Sequence, residues 1–353
     1  MKEIFGRRLK EARKMSGLSL RELSNKIDNY VKFQMIDKYE KGNAMPGSDV
    51  LIKLADALDV SIDYFFKEYN YKIEFVEYRK SSRFNSNKLK DSLSEVIISE
   101  YERYYEIEQI LNISEKFVYP FEKPLIKNFE DIEKYADKLR SVWELGADAI
   151  PSLIEIIENN NIKVFEIDCK FNKNTFDGLS GFINNNPIIA INSTIDTVRK
   201  RFTLLHELGH ILFDFDPLIS DKEIERLCHA FAGALLFPQK AVLKYFPFKR
   251  KKVSITELIE IKEVFGISVQ ALIKRLELLN VINSLQSTSL FIYLSRNKLK
   301  DEKKLGFYPT IEKCYKLKRY VLSAVTEEII SLSKGAELLK LDLISFREQL
   351  GLI

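Results

Sequence analysis

Residues 201–213 read RFTLLHELGHILF, and this stretch is the most informative part of the sequence about the fold. Its apolar residues recur at helical spacing, which predicts a helix that carries His206 and His210 one turn apart on the same face. Glu207 lies beside them, where its carboxylate can take a proton from a water at the metal. The arrangement H-E-x-x-H on a helix is typical of zinc peptidases. The stretch therefore predicts a metal-binding helix in which Glu207 is the catalytic general base.

The use of histidine in the rest of the chain supports a metal site. The chain has three histidines among its 353 residues, and all three, His229 being the last, fall within 24 residues. Histidines that only fill a core should be scattered along the sequence, whereas a metal centre concentrates them.

The third metal ligand is predicted to come from the next helix. A catalytic zinc takes three protein ligands and keeps one position open. Residues 219–238, ISDKEIERLCHAFAGALLFP, begin with acidic residues and offer Glu225 and His229 one helical turn apart. Either residue could bind, because glutamate and imidazole are both ordinary zinc ligands. His229 or Arg199 could also stabilise the oxyanion that forms when water attacks a peptide carbonyl. Manganese or iron could replace zinc at the same ligands.

The sequence pattern around these two helices predicts an α+β fold, mainly α with a small β-sheet. Residues 162–168, 178–184 and 188–192 predict strands, and the last two form a hairpin that turns near Asn185–Pro187. Helices are predicted at 89–111, 130–147, 151–159 and from about 195 to the end of the chain.

The first 66 residues read as five short helices with a local excess of positive charge. Residues 1–42 contain eleven Lys or Arg against six Asp or Glu, which gives them a net charge of +5. The whole chain has a net charge of +4, so the other residues together are close to neutral. Ser19 is expected to begin the second helix, with Glu22 as its capping-box partner. A local basic excess suits binding to phosphates.

The second and third helices, SLRELSNKI (19–27) and KFQMIDKYEKG (32–42), resemble the central pair of phage repressor and XRE domains. The resemblance implies that the third helix enters the major groove of DNA. It also implies an ion pair between Arg13 and Glu40 that holds helices one and three together. The residues expected to contact bases are Lys32, Phe33, Gln34 and Lys38, and those expected to contact phosphate are Ser19 and Arg21.

The metal region also resembles a known family. The segments FDGLSGFI (176–183), PIIAIN (187–192), VRKRFTLLHELGH (198–210) and ERLCHAFAGALLFP (225–238) resemble the ImmA/IrrE metallo-endopeptidases, in the subgroup fused to an N-terminal XRE-type helix-turn-helix. The resemblance implies a zincin-like domain.

The ligands that this resemblance implies for zinc are His206, His210 and Glu225. His229 stands where many relatives carry Asn, and it could join the metal shell as a fourth ligand.

Relatives of this kind cleave a specific repressor protein and so derepress stress, mobile-element or defence genes. The resemblance therefore implies a DNA-binding transcriptional regulator with zinc-dependent endopeptidase activity, whose partners are a double-stranded DNA operator and a protein substrate. We expect a homodimer, because such repressors read two half-sites. The alternative is a transcription regulator or antitoxin-like repressor in which the metal domain senses or scaffolds without proteolysis.

Composition sets the remaining limits. No stretch approaches the ~18 consecutive apolar residues of a membrane span, and the charged N-terminus lacks the apolar core of a signal peptide, so a cytoplasmic protein is expected. Three cysteines without C-x-x-C spacing indicate reduced thiols, to which we assign no role. The expected division is a helix-turn-helix domain at 1–66, a polar linker and long helix at 67–125, the metallopeptidase domain at 126–245 and a helical region at 246–353.

Overall fold

Helices dominate the computed structural model, which describes residues 1–68, 71–75, 87–113, 115–168, 176–247, 249–299 and 304–351. The predicted fold class, mainly α with a small β-sheet, is confirmed. Within the described ranges, no helix is both long enough and apolar enough to cross a membrane. Cys169 and most of the predicted polar linker lie outside these ranges, and within them Cys228 and Cys314 form no disulfide.

The N-terminal unit is a bundle of short helices around its own apolar core. The predicted five helices are confirmed, with the correction that the last is a 3-10 helix. Ser19 and Glu22 form the predicted capping box, and Arg13 and Glu40 form the predicted ion pair through two bonds of 2.6 and 2.8 Å. The elements are α1 (Lys2–Met15), α2 (Leu20–Lys26), α3 (Phe33–Glu40), α4 (Ser48–Leu58) and the 3-10 helix (Ile62–Phe66).

The larger sheet lies next to the metal helix. Among the described residues its strand order is β1-β4-β5-β3, with β4 antiparallel to β1 and β5, and β3 parallel to β5. The predicted hairpin is confirmed, and Asn184 and Asn185 make its turn with positive φ. The strands are β1 (Ile73–Phe75), β2 (Leu125–Ile126), β3 (Lys163–Ile167), β4 (Gly178–Ile183), β5 (Asn186–Asn192) and β6 (Asp214–Phe215), where β2 and β6 form a separate pair.

Strand β1 corrects the sequence analysis, which treated residues 67–88 as a polar linker. Ile73 and Phe75 are half-buried against the sheet and α5, while Glu74 between them is exposed. The alternation covers three residues in a segment rich in charged side chains, so the sequence pattern did not predict a strand.

The main core surrounds the two helices of the metal site. Its buried side chains run from Phe121 to Leu305, so the core continues across the expected boundary at residue 245, which stays a prediction. The helices that follow the N-terminal unit are α5 (Asn87–Ile110), α6 (Phe129–Val142), α7 (Leu153–Asn159), α8 (Thr197–Leu212), α9 (Asp221–Leu236), α10 (Gln239–Tyr245), α11 (Ile255–Phe265), α12 (Val269–Leu278), α13 (Ser284–Arg296), α14 (Lys316–Thr326), α15 (Leu332–Leu339) and α16 (Leu343–Gln349).

Helix α6 ends five residues before its predicted end at 147. Glu144 and Gly146 both adopt positive φ, which ends the helical backbone. The buried side chain of Arg140 turns back and donates from Nε to the carbonyl oxygen of Gly146 at 2.7 Å. The charged side chain therefore satisfies the carbonyls of the turn, which sequence periodicity does not predict.

Helix α5 connects the N-terminal unit to the rest of the molecule. With 24 residues it is about 36 Å long. Near its middle, the buried Glu102 carboxylate accepts two bonds of 2.9 and 3.1 Å from Arg8 of α1. Near its end, Ile107 packs in the cluster formed by α14, α15 and α16. Lys67 adds ion pairs of 3.0 Å to Glu106 and Glu337, so α1, α5 and α15 are joined.

The contact between α1 and α5 also contains a group of carboxylates. Burial raises the pKa of Glu95 to about 7, together with repulsion from Glu11, Asp91 and Glu102. Lys14 opposes this effect, with its Nζ 3.7 Å from a carboxylate oxygen of Glu95. A carboxyl group with such a pKa changes its charge near neutral pH.

Candidate metal centre

The two histidines of the predicted motif lie on α8, which begins where Asp196 caps it by accepting a bond of 3.1 Å from the backbone N–H of Arg199. His206 and His210 are buried, and their Nε2 atoms lie 3.2 Å apart. Two ligands of one tetrahedral zinc, each about 2.1 Å from the ion, lie about 3.4 Å apart. The spacing of the two nitrogens therefore fits coordination to a single ion.

Glu225 of α9 completes a group of three potential metal ligands. Its carboxylate oxygens lie 3.4 Å from His206 Nε2 and 3.8 Å from His210 Nε2. Across the described ranges, these three side chains are the group of potential ligands whose donor atoms all lie within 4.8 Å of one another. Two imidazoles and one carboxylate suit zinc, and also manganese or iron. The donor set thus fits a divalent transition metal.

Cys228 contacts His210 at the ring nitrogen that does not face the candidate metal site. Its Sγ lies 3.6 Å from His210 Nδ1, on the side of the ring away from Nε2. A partner at Nδ1 fixes the orientation and tautomer of a ligating imidazole. This contact was not predicted, because it depends on how α8 packs against α9.

Strand β4 holds the side chain of Glu207. Ser180 Oγ donates a hydrogen bond of 2.8 Å to Glu207 Oε2, and both side chains are buried. The close approach of the strand depends on Gly178, where an added Cβ would lie 2.4 Å from Thr203 Cγ2 and 3.3 Å from Glu207 Cγ. The sequence analysis missed Ser180 and Gly178, although both occur in the segment GLSG.

The comparisons with known proteins agree with this geometry. Residues 157–277 match the family model of the IrrE N-terminal-like domain, which is the Peptidase_M78 family, and residues 9–65 match a helix-turn-helix model. The chain joins a helix-turn-helix domain to an IrrE-like peptidase-family domain. The predicted family is therefore confirmed.

Two curated relatives match short parts of the chain. The radiation response metalloprotease IrrE of Deinococcus radiodurans is 40% identical over 67 residues, which are 16% of this chain and 20% of that protein. An uncharacterized HTH-type transcriptional regulator of Sinorhizobium fredii, y4aM, is 38% identical over 63 residues, which are 18% of this chain and 43% of that protein. The matches therefore span less than half of either relative.

One solved structure was also matched. The apo form of ComR from S. thermophilus is 12% identical, with 96% of this chain and 99% of that chain covered, and its TM-score of 0.18 does not establish a shared fold.

His229 and Arg199 occupy different positions in the IrrE-like domain from the metal ligands. The exposed ring of His229 lies between two others, with its centroid 4.5 Å from that of His206 and 5.7 Å from that of Phe202. Arg199 is two turns before His206 on α8, and its exposed guanidinium bonds to Asp177 at 3.1 Å through Nε. The structure thus brings His229 to the rim of the site and directs Arg199 to another partner.

A cavity opens beside His229 in the IrrE-like domain. It has a volume of about 680 Å³, and Phe202 and His229 form the wall nearest His206. Half of the remaining lining residues are apolar, and the charged ones lie on α9 and α12. The lining residues of that remainder are Phe129, Arg226, Ala230, Gly233, Ser268, Gln270, Ala271, Lys274, Arg275, Glu277, Leu278 and Phe291.

A residue far along the chain fixes the position of the metal helix. The fully buried Glu312 forms an ion pair with Arg201 of α8. The same carboxylate accepts bonds of 3.0 Å from the backbone N–H groups of Leu153 and Ile154, at the start of α7. Because both partners are buried, the pair is well shielded from water and holds α7 and α8 together. The sequence analysis did not assign Glu312.

The predicted DNA contacts of the helix-turn-helix domain remain predictions. Lys32, Gln34 and Lys38 are exposed on and just before α3. Arg21 lies over the half-buried ring of Phe33, with its Cζ 5.1 Å from the ring centroid. The side chain of Ser19 accepts a hydrogen bond from the backbone N–H of Glu22 and so caps α2.

Proposed function

We propose that this protein is a cytoplasmic, DNA-binding transcriptional regulator whose IrrE-like domain is a zinc-dependent endopeptidase. Its substrate is a partner repressor protein, and cleavage derepresses stress, mobile-element or defence genes. The observation that carries the proposal is the convergence of His206, His210 and Glu225 at one point, with Glu207 buried beside them. The name of the relative from Deinococcus radiodurans, a metalloprotease, supports the same activity.

The residues of the chain divide the reaction between them. His206, His210 and Glu225 would hold zinc, which supplies Lewis-acid polarisation of the peptide carbonyl. Glu207 takes the proton of the attacking water and passes it to the leaving amine. Ser180 donates to Oε2 of Glu207 and so helps to fix the orientation of the carboxylate. A scaffold without catalysis has no need for this buried, oriented carboxylate.

The cavity beside His229 gives the substrate a place for its side chains. Its wall of Phe202, Phe129 and Phe291 suits an apolar side chain close to the scissile bond. The His229 imidazole at the rim can donate a hydrogen bond to the developing oxyanion, or add a fourth ligand if the ring turns toward the metal.

The test of the peptidase activity uses the full-length, zinc-loaded chain and candidate repressors encoded near its gene. Mass spectrometry should find two fragments from one repressor, with no fragments when Glu207→Gln is used. Glu260→Gln, at an exposed position of α11, is the matched control and should cleave normally. If derepression in cells persists with a folded, metal-loaded Glu207→Gln variant, the domain senses or scaffolds without proteolysis.

The helix-turn-helix domain is proposed to bind a double-stranded DNA operator as a homodimer. The exposed side chains of Gln34 and Lys38 support this, since amide and ammonium groups read bases and phosphates. Loss of one phosphate contact in Lys38→Ala should weaken binding and flatten its salt dependence by about one unit of slope. Lys41→Ala is the control, because Lys41 already pairs with Asp37 at 2.6 Å. Equal binding by both variants would contradict the proposed orientation of α3.

A further inference from the structure

Positive charge in the IrrE-like region is concentrated in one stretch of the chain. Residues 226–256 contain seven Lys or Arg and no Asp or Glu, whereas residues 126–225 contain eleven Lys or Arg against eighteen Asp or Glu. Four of the seven cations are consecutive, in the run KRKK (249–252) between α10 and α11, which we call the basic loop. A dense group of like charges attracts a partner of opposite charge.

The lysines of the basic loop face solvent. Lys249, Lys251 and Lys252 are exposed, and across the part of the chain that the structure describes none of the three is in an ion pair. Arg250 differs, because its guanidinium pairs with Glu257 at 2.6 Å. The carboxylate beside the loop is therefore already occupied, and the three lysines keep their charge for a partner.

The backbone of the basic loop is fixed against the turn between α12 and α13. The N–H of Arg250 donates to the carbonyl oxygen of Val281 at 2.9 Å. Gln286, in the first turn of α13, donates from Nε2 to the carbonyl oxygens of Arg250 and Lys251 at 2.9 and 2.6 Å. Val253, the next residue after the loop, is buried in the main core. Because the loop is already ordered, less conformational entropy is lost when it binds a partner.

The same two helices line the cavity beside His229. Leu278 of α12, three residues before Val281, and Phe291 of α13, five residues after Gln286, both belong to the lining. Five helical residues span about 7.5 Å, which an extended peptide covers in about two to three residues. The basic loop therefore lies next to one end of the cavity, within reach of a chain whose side chain fills it.

We propose that the basic loop binds an acidic segment of the protein substrate while an apolar side chain of the same segment fills the cavity beside His229. This inference rests on the proposed peptidase function. The substrate carries Asp or Glu about two to four residues from that apolar side chain, at about 3.3 Å per residue. The loop takes no part in bond cleavage, and it selects the substrate because complementary charge favours one partner over others and speeds association.

An acidic protein segment fits this surface better than the phosphates of DNA. Three lysines within four residues span at most about 10 Å, which matches a short run of carboxylates. A DNA duplex offers a much longer track of phosphates and has no apolar side chain for the adjoining cavity. The position of the basic loop beside the cavity therefore favours protein.

The first test measures docking without catalysis. The probe is the fluorescein-labelled peptide EEEEGGFGGEEEE, which places a glutamate three residues from a phenylalanine in both chain directions. The neutral probe is QQQQGGFGGQQQQ. Binding of each probe to zinc-loaded, full-length Glu207→Gln protein is measured by fluorescence anisotropy at about 50 mM and about 200 mM salt, because salt screens contacts between exposed charges.

Two sets of added changes separate the basic loop from the overall charge. The loop variant carries Lys249→Gln, Lys251→Gln and Lys252→Gln. The control variant loses the same charge at exposed lysines outside the loop and the cavity lining, which are Lys116→Gln, Lys127→Gln and Lys313→Gln. At low salt we expect the loop variant to bind the acidic probe about fivefold or more weakly than the control variant, because three exposed ion pairs are lost. Arginine at the three loop positions keeps the charge and should restore binding.

The proposal is overturned if the loop and control variants bind the acidic probe equally, or if the Glu207→Gln protein does not prefer the acidic probe to the neutral one. A DNA duplex of random sequence and about 30 bp tests the other polyanion. Duplex binding that falls only in the loop variant, with binding of the acidic probe unchanged, assigns the loop to DNA and also overturns the proposal.

The second test measures cleavage of the repressor that yields fragments with the unchanged chain. The loop changes, made without Glu207→Gln, should raise KM about fivefold or more with kcat unchanged, because rim charges act on binding. The control changes should leave both constants unchanged. Equal KM values in the two variants, with cleavage that still depends on Glu207, overturn the docking proposal and leave the peptidase function standing. Probe binding that depends on the loop, without any cleavage that depends on Glu207, has the reverse meaning.

Discussion

Ser180 gives the sharpest test of how Glu207 is positioned. Its hydroxyl donates to a buried carboxylate at 2.8 Å, and Ser180 and Glu207 are each 1% exposed. A hydrogen bond to a charged group contributes about 1.5–3 kcal/mol, and water does not reach this pair to replace it. Since about 1.4 kcal/mol corresponds to a factor of ten, Ser180→Ala should lower kcat by about tenfold to a hundredfold.

The assay separates positioning from loss of structure. Initial rates on the cleaved repressor should show the decrease in kcat with little change in KM, because Ser180 donates to Glu207 and is not one of the three potential metal ligands. Zinc content per chain should stay the same, and Ser180→Thr, which keeps the hydroxyl, should retain most of the rate. An unchanged kcat in Ser180→Ala, or a decrease explained by lost zinc, would refute the reasoning.

Three further predictions concern the support of the site and the joint between the domains. Gly178→Ala should lower stability by about 1–3 kcal/mol in thermal unfolding, because its Cβ would lie 2.4 Å from a side-chain carbon of α8, whereas Gly47→Ala, with no atom within 4 Å, should change little. Arg8→Ala should cost about 3–5 kcal/mol in denaturant unfolding, because it leaves Glu102 buried without its partner, and a cost below about 1 kcal/mol would contradict this. Because the pKa of Glu95 is about 7 in the folded state and near 4.5 when unfolded, stability should fall as pH rises from about 4.5 to 7 and then level off. Glu95→Gln should reduce that fall by up to about 3 kcal/mol in unfolding curves measured at pH 5 and pH 8, and the part due to Glu158, whose pKa burial also raises to about 7, should remain.

Local periodicity predicted a large part of the fold and the candidate ligands. His206 and His210 are four residues apart on one helix, so their convergence follows from helix geometry alone. The capping box of Ser19 and Glu22 and the asparagine turn between β4 and β5 are also local. For Glu225 and His229 the spacing within α9 left both open, because the choice depends on how α9 lies against α8.

Contacts between distant segments could not be predicted from spacing. Ser180 reaches Glu207 only because β4 packs on α8, and Glu312 reaches Arg201 from 111 residues away. Strand β1 has no strong pattern of its own and is stabilised by pairing with β4. In each case the sequence shows both residues but does not show that they are in contact, because the contact is set by tertiary packing.

The central claim is that two imidazoles and a carboxylate hold one catalytic metal ion beside Glu207. Crystals of the zinc-loaded full chain, measured at the zinc absorption edge, test it most directly. The account predicts one anomalous peak about 2.0–2.2 Å from Nε2 of His206, Nε2 of His210 and an oxygen of Glu225, with the Glu207 carboxylate facing the remaining coordination position. A peak elsewhere, or a Glu207 carboxylate that faces away from the ion, would contradict it.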